Sequence, residues 1–167
     1  MFKNLFSKNK EVSKTIELKA YATGKLVGIE EVPDPVFAEK MMGEGIAIIP
    51  SEGKIYSPVD GEVVRVFPKK HAVIVRAGNG AEILIHIGLE TVSMKGEGFT
   101  THVTEGKKVK AGDLMVTVDL ELVKKKAKDI ITPLVITNGD VVESVEKPIL
   151  KGEVTAKQEI VLTVTAK

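Results

Sequence analysis

The chain has 167 residues, and 24 basic against 23 acidic side chains leave it a net charge of +1. That balance gives no electrostatic case for nucleic acid, and the absence of cysteine excludes disulfides, thiolate metal ligands and a cysteine nucleophile. With 4% aromatic residues and no tryptophan, the core of one domain falls to Val, Ile, Leu and Ala, of which Val and Ile favour strands.

Residues 1–16, MFKNLFSKNKEVSKTI, read as an N-terminal tail preceding a single domain at 17–167. Phe2, Leu5 and Phe6 recur at helical spacing among Lys3, Lys8 and Lys10. Two readings stay open for residues 1–10: a solvated tail, or peripheral contact with an anionic membrane surface. The segment lacks the continuous apolar stretch of a signal peptide. No run of about 18 apolar residues marks a membrane span. The expected location is the cytoplasm, and the expected state is a monomer.

From residue 17 the chain is a series of short strands punctuated by Gly, Asp and Pro. The strand segments are 24–32, 45–50, 61–67, 71–77, 81–87, 114–120, 133–138 and 159–166, with turn signals SPVDG, AGNGA, KAGD and TNGD between them. Many short, evenly spaced strands predict an all-β sandwich or barrel. Tyr21-Ala-Thr-Gly-Lys-Leu-Val and Tyr56-Ser-Pro-Val-Asp-Gly-Glu-Val-Val share a faint pattern that suggests repeated hairpin units. Two helical insertions interrupt the strands. One runs over 34–45, with Asp34 as N-cap, Pro35 at the first position and a stop at Gly43. The other runs over 119–129 from Asp119, with Lys124, Lys125, Lys126 and Lys128 as a solvated face or a basic docking patch.

Two of the three histidines bracket HAVIVRAGNGAEILIHIG, from His71 to Gly88. If Gly78 and Asn79 make a two-residue hairpin loop, Ala77 faces Gly80 and His71 faces His86, with Cβ atoms about 4.5–5.5 Å apart. A loop at Asn79-Gly80 puts His71 opposite Gly88 instead. Two close imidazoles repel when charged, so at least one stays neutral near pH 7. A neutral imidazole has one basic nitrogen, which suits it to accept a phosphoryl group. The second imidazole can donate to the phosphate, and the Gly88 carbonyl can fix the nucleophile's tautomer. Two satisfied histidines on a half-buried sheet are the competing reading. Two histidines are too few for a zinc site, so neither metal nor cofactor is expected. His102 lies in a polar stretch and reads as a surface residue. Phe37, Met41, Met42, Phe67, Leu84 and Val92 flank the histidines in sequence, as an exposed partner surface or as core.

The segments PDPVFAEKMMGEGIAIIP, YSPVDGEVVRVFPKKHAV, EILIHIGLETVSMKGEGF, VKAGDLMVTVDL and ITPLVITN carry a resemblance. Together they resemble the glucose-family enzyme IIA proteins of the bacterial phosphoenolpyruvate-dependent sugar phosphotransferase system. The resemblance implies a flattened antiparallel β-sandwich of the duplicated hybrid motif type, as a single type-1 domain. It implies that His86 is phosphorylated, that His71 stabilises the phosphoryl group and that the Gly88 carbonyl orients His86. It implies the phosphocarrier protein HPr as donor and a cysteine on a IIB domain of a membrane sugar permease as acceptor, with regulated enzymes or transporters as further targets. The family's apolar ring falls on Phe37, Met41, Met42, Phe67, Leu84 and Val92, and its acidic rim on Asp34 and Glu90. Two positions depart from the pattern. Lys69 stands where a threonine hydroxyl usually bonds the first histidine, and Glu90 stands where aspartate is usual.

Three other readings use the same residues. A zinc peptidase would need an H-x-H pair and an aspartate ligand, which His86-Ile87-Gly88 does not supply. A biotinyl or lipoyl carrier would present a lysine at a hairpin tip, and Lys95 in VSMKGEG is the sole candidate. A purely regulatory module would share the His86 chemistry and differ only downstream.

Overall fold

Alternation along the central strands decides the architecture. In the strand Glu82–His86, Ile83 and Ile85 point to one side while Leu84 and His86 point to the other. Both faces find apolar partners, so the sheet carrying this strand is covered twice.

The structure, a computed structural model, describes residues 14 to 167, and these contain fourteen strands. These are β1 (Thr15–Lys19), β2 (Gly24–Gly28), β3 (Gly45–Pro50), β4 (Lys54–Tyr56), β5 (Gly61–Val66), β6 (Ala72–Ala77), β7 (Glu82–His86), β8 (Phe99–Thr101), β9 (Lys108–Val109), β10 (Leu114–Val118), β11 (Thr132–Ile136), β12 (Val142–Glu146), β13 (Gly152–Val154) and β14 (Ile160–Ala166). Eight form one antiparallel sheet in the order β13-β2-β3-β11-β7-β6-β5-β9. Two three-stranded sheets, β1-β14-β12 and β4-β10-β8, complete an antiparallel β-sandwich. The main core includes Leu18, Tyr21, Ile48, Ile85, Met115 and Leu162. Tyr21 is wholly buried and donates its hydroxyl to the Thr132 carbonyl at 2.7 Å. Burial pushes its phenol pKa up, so it stays a neutral donor.

A second, smaller cluster lies on the opposite face of the large sheet. Val27, Ala47, Ala72, Leu84 and Val135 come from its strands, and Ile29, Val32 and Phe37 come from the crossover between β2 and β3. That crossover carries helix α1 (Pro35–Ala38), where the Asp34 side chain accepts from Val36 N–H at 3.0 Å. Helix α1 is far shorter than the span 34–45 expected from sequence. Lys40 turns into the left-handed region at φ 59° and ends it, leaving Met41 and Met42 on an irregular segment. Glu44 fixes that segment through Lys40 at 3.0 Å and Lys147 at 2.9 Å. Helix α2 (Leu120–Lys126) keeps the expected Asp119 cap and stops before 129.

The two similar segments meet, with Tyr56 N–H donating to the Tyr21 carbonyl at 2.9 Å. Strand β1 begins at Thr15, pairs with Thr165 of β14 and so takes up two residues assigned to the tail. The membrane-contact reading of residues 1–10 lies outside the described residues. No described helix is long and apolar enough to cross a membrane.

Candidate functional site

The hairpin between β6 and β7 does not take the two-residue loop. Its loop is Gly78-Asn79-Gly80, because Gly80 adopts φ 93° and Ala77 N–H reaches the Ala81 carbonyl at 2.9 Å. Asn79 holds the tip through Ala81 N–H and by donating to the Lys14 and Val164 carbonyls. The resulting register places His86 opposite Ala72, not His71.

The imidazoles meet for another reason. Pro68 to His71 form the loop between β5 and β6, closed by Lys70 N–H to the Phe67 carbonyl at 2.8 Å and Phe67 N–H to the Ala72 carbonyl at 3.0 Å. Lys70 sits at φ 64°. His71 follows this left-handed residue and precedes the strand, so strand alternation does not fix its direction. The two rings stand edge to face with centroids 5.0 Å apart. Phe37 flanks His86 at 5.3 Å, and Phe67 flanks His71 at 5.7 Å.

The two histidines differ in environment. His86 is half-buried, and its Nδ1 lies 2.8 Å from the Gly88 carbonyl. A carbonyl only accepts, so Nδ1 carries the proton and Nε2 keeps the lone pair. Burial lowers the His86 pKa, against the Gly88 bond and the nearby charge of Asp34. His71 is only 6% exposed, and its Nδ1 has no hydrogen-bond partner. Burial, then the proximity of His86, push its pKa down to about 4. Both rings are therefore neutral at pH 7.

A stability prediction follows from the sign of the His71 shift. The unfolded chain binds a proton near pH 6.5 while folded His71 resists until about 4. Stability is thus complete above pH 6.5 and is lost as pH falls toward 4. The loss from His71 is at most about 3 kcal/mol. Denaturation midpoints of the wild type and His71→Gln should run parallel above pH 6.5. Below it, the wild type should fall faster. Parallel curves down to pH 4 would exclude a buried neutral His71.

Of the other apolar residues expected at the site, Met41 is 69% and Val92 51% exposed, with Met42 exposed and Phe67 half-buried. Phe37 and Leu84 are buried instead, in the smaller cluster on the side of β7 that also carries His86. They form a floor to the pair, with little of either side chain exposed. Asp34 is half-buried and close enough to His86 for its charge to act on the ring, and Glu90 is exposed. Lys69 is exposed and leaves the His71 nitrogen unpaired. His102 lies apart, exposed and bonded to the Thr117 hydroxyl at 2.7 Å. Among the described residues no three His, Asp or Glu gather as a metal site.

Sequence reasoning passed over Thr91 and Asp129. The buried Thr91 hydroxyl donates to the Ile87 carbonyl at 2.7 Å, and Leu89 N–H donates to the Asp129 carbonyl at 2.9 Å. Gly88 itself has φ 74°, and a Cβ there would come within 2.7 Å of the Thr91 methyl and 2.9 Å of the Asp129 carbonyl. The IHIGLET spacing holds the signal for Thr91. Asp129 acts through its backbone, which no residue type reveals.

The whole chain and its parts have relatives. Residues 16–142 match the sequence model of the phosphoenolpyruvate-dependent sugar phosphotransferase system, EIIA 1. The chain is 58% identical over 148 residues to the PTS system glucose-specific EIIA component of Bacillus cereus, covering 87% of this chain and 88% of that one. It is 53% identical over 164 residues to the protein of the same name from Oceanobacillus iheyensis, covering 98% and 99%. Its structure is similar to glucose permease IIA from Mycoplasma capricolum, with a TM-score of 0.80 at 40% identity, over 89% of this chain and 95% of that one.

Proposed function

The chain belongs to the EIIA family of the phosphoenolpyruvate-dependent sugar phosphotransferase system, and from that premise we propose that His86 Nε2 carries the phosphoryl group. The observation that carries this reading is the Nδ1 bond to Gly88, which leaves Nε2 as the basic atom beside a second imidazole. Phospho-HPr is the donor. The Nε2 lone pair attacks phosphorus in line, the bond from phosphorus to the donor breaks, and its electron pair leaves with HPr. A cysteine thiolate of a IIB domain then attacks, and the Nε2–phosphorus bond breaks in turn. His71 donates to the phosphoryl oxygens, because this chemistry depends mostly on positioning and charge stabilisation. The exposed Met41, Met42 and Val92, with Phe67 half-buried, close against the partner and exclude water. Asp34 and Glu90 pair with basic partner residues. The relatives' names make glucose the expected sugar of the permease, and no residue here is assigned to touch it. The domain acts in the cytoplasm as a monomer. Incubation with phosphoenolpyruvate, enzyme I and HPr should add one acid-labile phosphate per chain, and no uptake would overturn the reading.

Lys69 sharpens one detail. To donate from Nε2, His71 must keep Nδ1 bare, and that buried nitrogen has no donor facing it. A threonine at position 69 would supply one. A net hydrogen bond of about 1 kcal/mol corresponds to roughly fivefold in rate. Lys69→Thr should therefore speed delivery to a IIB domain by about that factor. An unchanged or slower rate would show that the unpaired nitrogen does not limit transfer.

A further inference from the structure

Three consecutive peptide units after His86 are each held by an anchor. The unit from His86 to Ile87 is held by Ile87 N–H donating to the His71 carbonyl at 2.7 Å. The unit from Ile87 to Gly88 is held by the Thr91 hydroxyl, which donates to the Ile87 carbonyl at 2.7 Å. The unit from Gly88 to Leu89 is held by Leu89 N–H donating to the Asp129 carbonyl at 2.9 Å. In a trans peptide the N–H and C=O point in opposite directions. Binding Leu89 N–H to Asp129 therefore turns the Gly88 carbonyl the other way, where it meets His86 Nδ1 at 2.8 Å. Two of the three anchors are backbone carbonyls. Thr91 is the only side chain among them, and it is 0% exposed.

We propose that Thr91 is a positioning residue for phosphoryl transfer, setting the tautomer of His86 through the Gly88 carbonyl. This rests on the phosphoryl-carrier reading of His86. Thr91 opens the 3-10 turn Thr91–Met94, directly after Glu90 in the left-handed region at φ 59°. That reversal folds the hydroxyl back over Ile87, four residues earlier. Its methyl packs where a Cβ on Gly88 would fall, so the hydroxyl and the methyl hold the two sides of one residue. Without the hydroxyl, the peptide between Ile87 and Gly88 can rotate. The Gly88 carbonyl then drifts off Nδ1, and the proton redistributes toward Nε2, the atom that must stay bare. Nothing in this role touches the phosphoryl group.

Nitrogen chemical shifts and two-bond proton couplings of the His86 ring, measured on the full chain without phosphate, read the tautomer directly. The wild type should be almost wholly protonated at Nδ1. Thr91→Val keeps the shape and removes the hydroxyl. It should give a mixture of tautomers and about tenfold slower phosphate uptake, the worth of one hydrogen bond at the strong end of the usual range. Thr91→Ala removes the same hydroxyl without the branched bulk and should show the same ring signature, should the valine variant fold poorly. Thr91→Ser restores the hydroxyl and should restore both tautomer and rate. If hydroxyl-free variants that fold keep the wild-type tautomer, the assignment is overturned, whatever their rates. A wild type that takes up no phosphate, in a protein whose tautomer still depends on Thr91, would instead sink the carrier reading and leave the positioning role standing.

Discussion

His86→Ala should take up no phosphate from phospho-HPr, a loss of at least about a thousandfold, because it removes the attacking atom itself. The fold should survive, since His86 is the half-buried last residue of β7 and alanine fits a strand end beside Phe37 and His71. A thermal melt within a few degrees of the wild type confirms that. The other histidine of the site, His71, is not a substitute. Its pKa of about 4 marks a weak base, and nucleophilicity falls with basicity. Its Nδ1 also lacks the acceptor that would hold a proton there and leave Nε2 bare. His86 has both advantages, through a carbonyl 2.8 Å away and the charge of Asp34, which counters desolvation. Stoichiometric label on His86→Ala would move the nucleophile elsewhere, and label recovered on His71 would reverse the two roles.

The same asymmetry explains what was legible in the sequence. The strands were legible because Val, Ile and Leu recur between Gly and Asp turns, and β3, β7 and β14 lie within two residues of where those turns place them. Short edge strands such as β9 and β13 were not, since two or three residues carry no periodicity. The pairing of the histidines was legible, but its geometry was not. It depends on Gly80 and Lys70 turning left-handed at either end of β6, and lysine gives no local signal for that. Helix α1 ended early for the same reason at Lys40. The apolar ring divided into a floor of Phe37 and Leu84 and an exposed rim of Met41, Met42 and Val92. Sequence distance from His86 does not distinguish the two; Met41 and Met42 lie on the irregular segment after helix α1 and Val92 in the turn after β7, which no apolar periodicity marks.

His71→Gln should accept phosphate nearly as well as the wild type and deliver it to a IIB domain about a hundred- to a thousandfold more slowly, the usual worth of one charge-stabilising donor. The glutamine amide can still donate to a phosphoryl oxygen, but it cannot become a cation. His71 can. In the free protein it is neutral, with a pKa of about 4. A phosphoryl group on His86 brings up to two negative charges next to His71, whose ring is centred 5.0 Å from the His86 ring. At an effective dielectric constant of about 20, a charge about 5 Å from an imidazolium stabilises it by on the order of 3 kcal/mol, or about two pH units. His71 is thereby lifted toward protonation only when phosphate is present. An imidazolium then faces the transferring group as the anionic thiolate approaches, which is when charge accumulates most. Uptake from HPr is less demanding, because the attacking His86 is neutral. The measurement is single-turnover loss of label from each phosphorylated variant on mixing with a IIB domain, with parallel uptake from phospho-HPr. Delivery at the wild-type rate would remove His71 from the mechanism. Equal loss in both directions would show that it acts as a neutral donor alone.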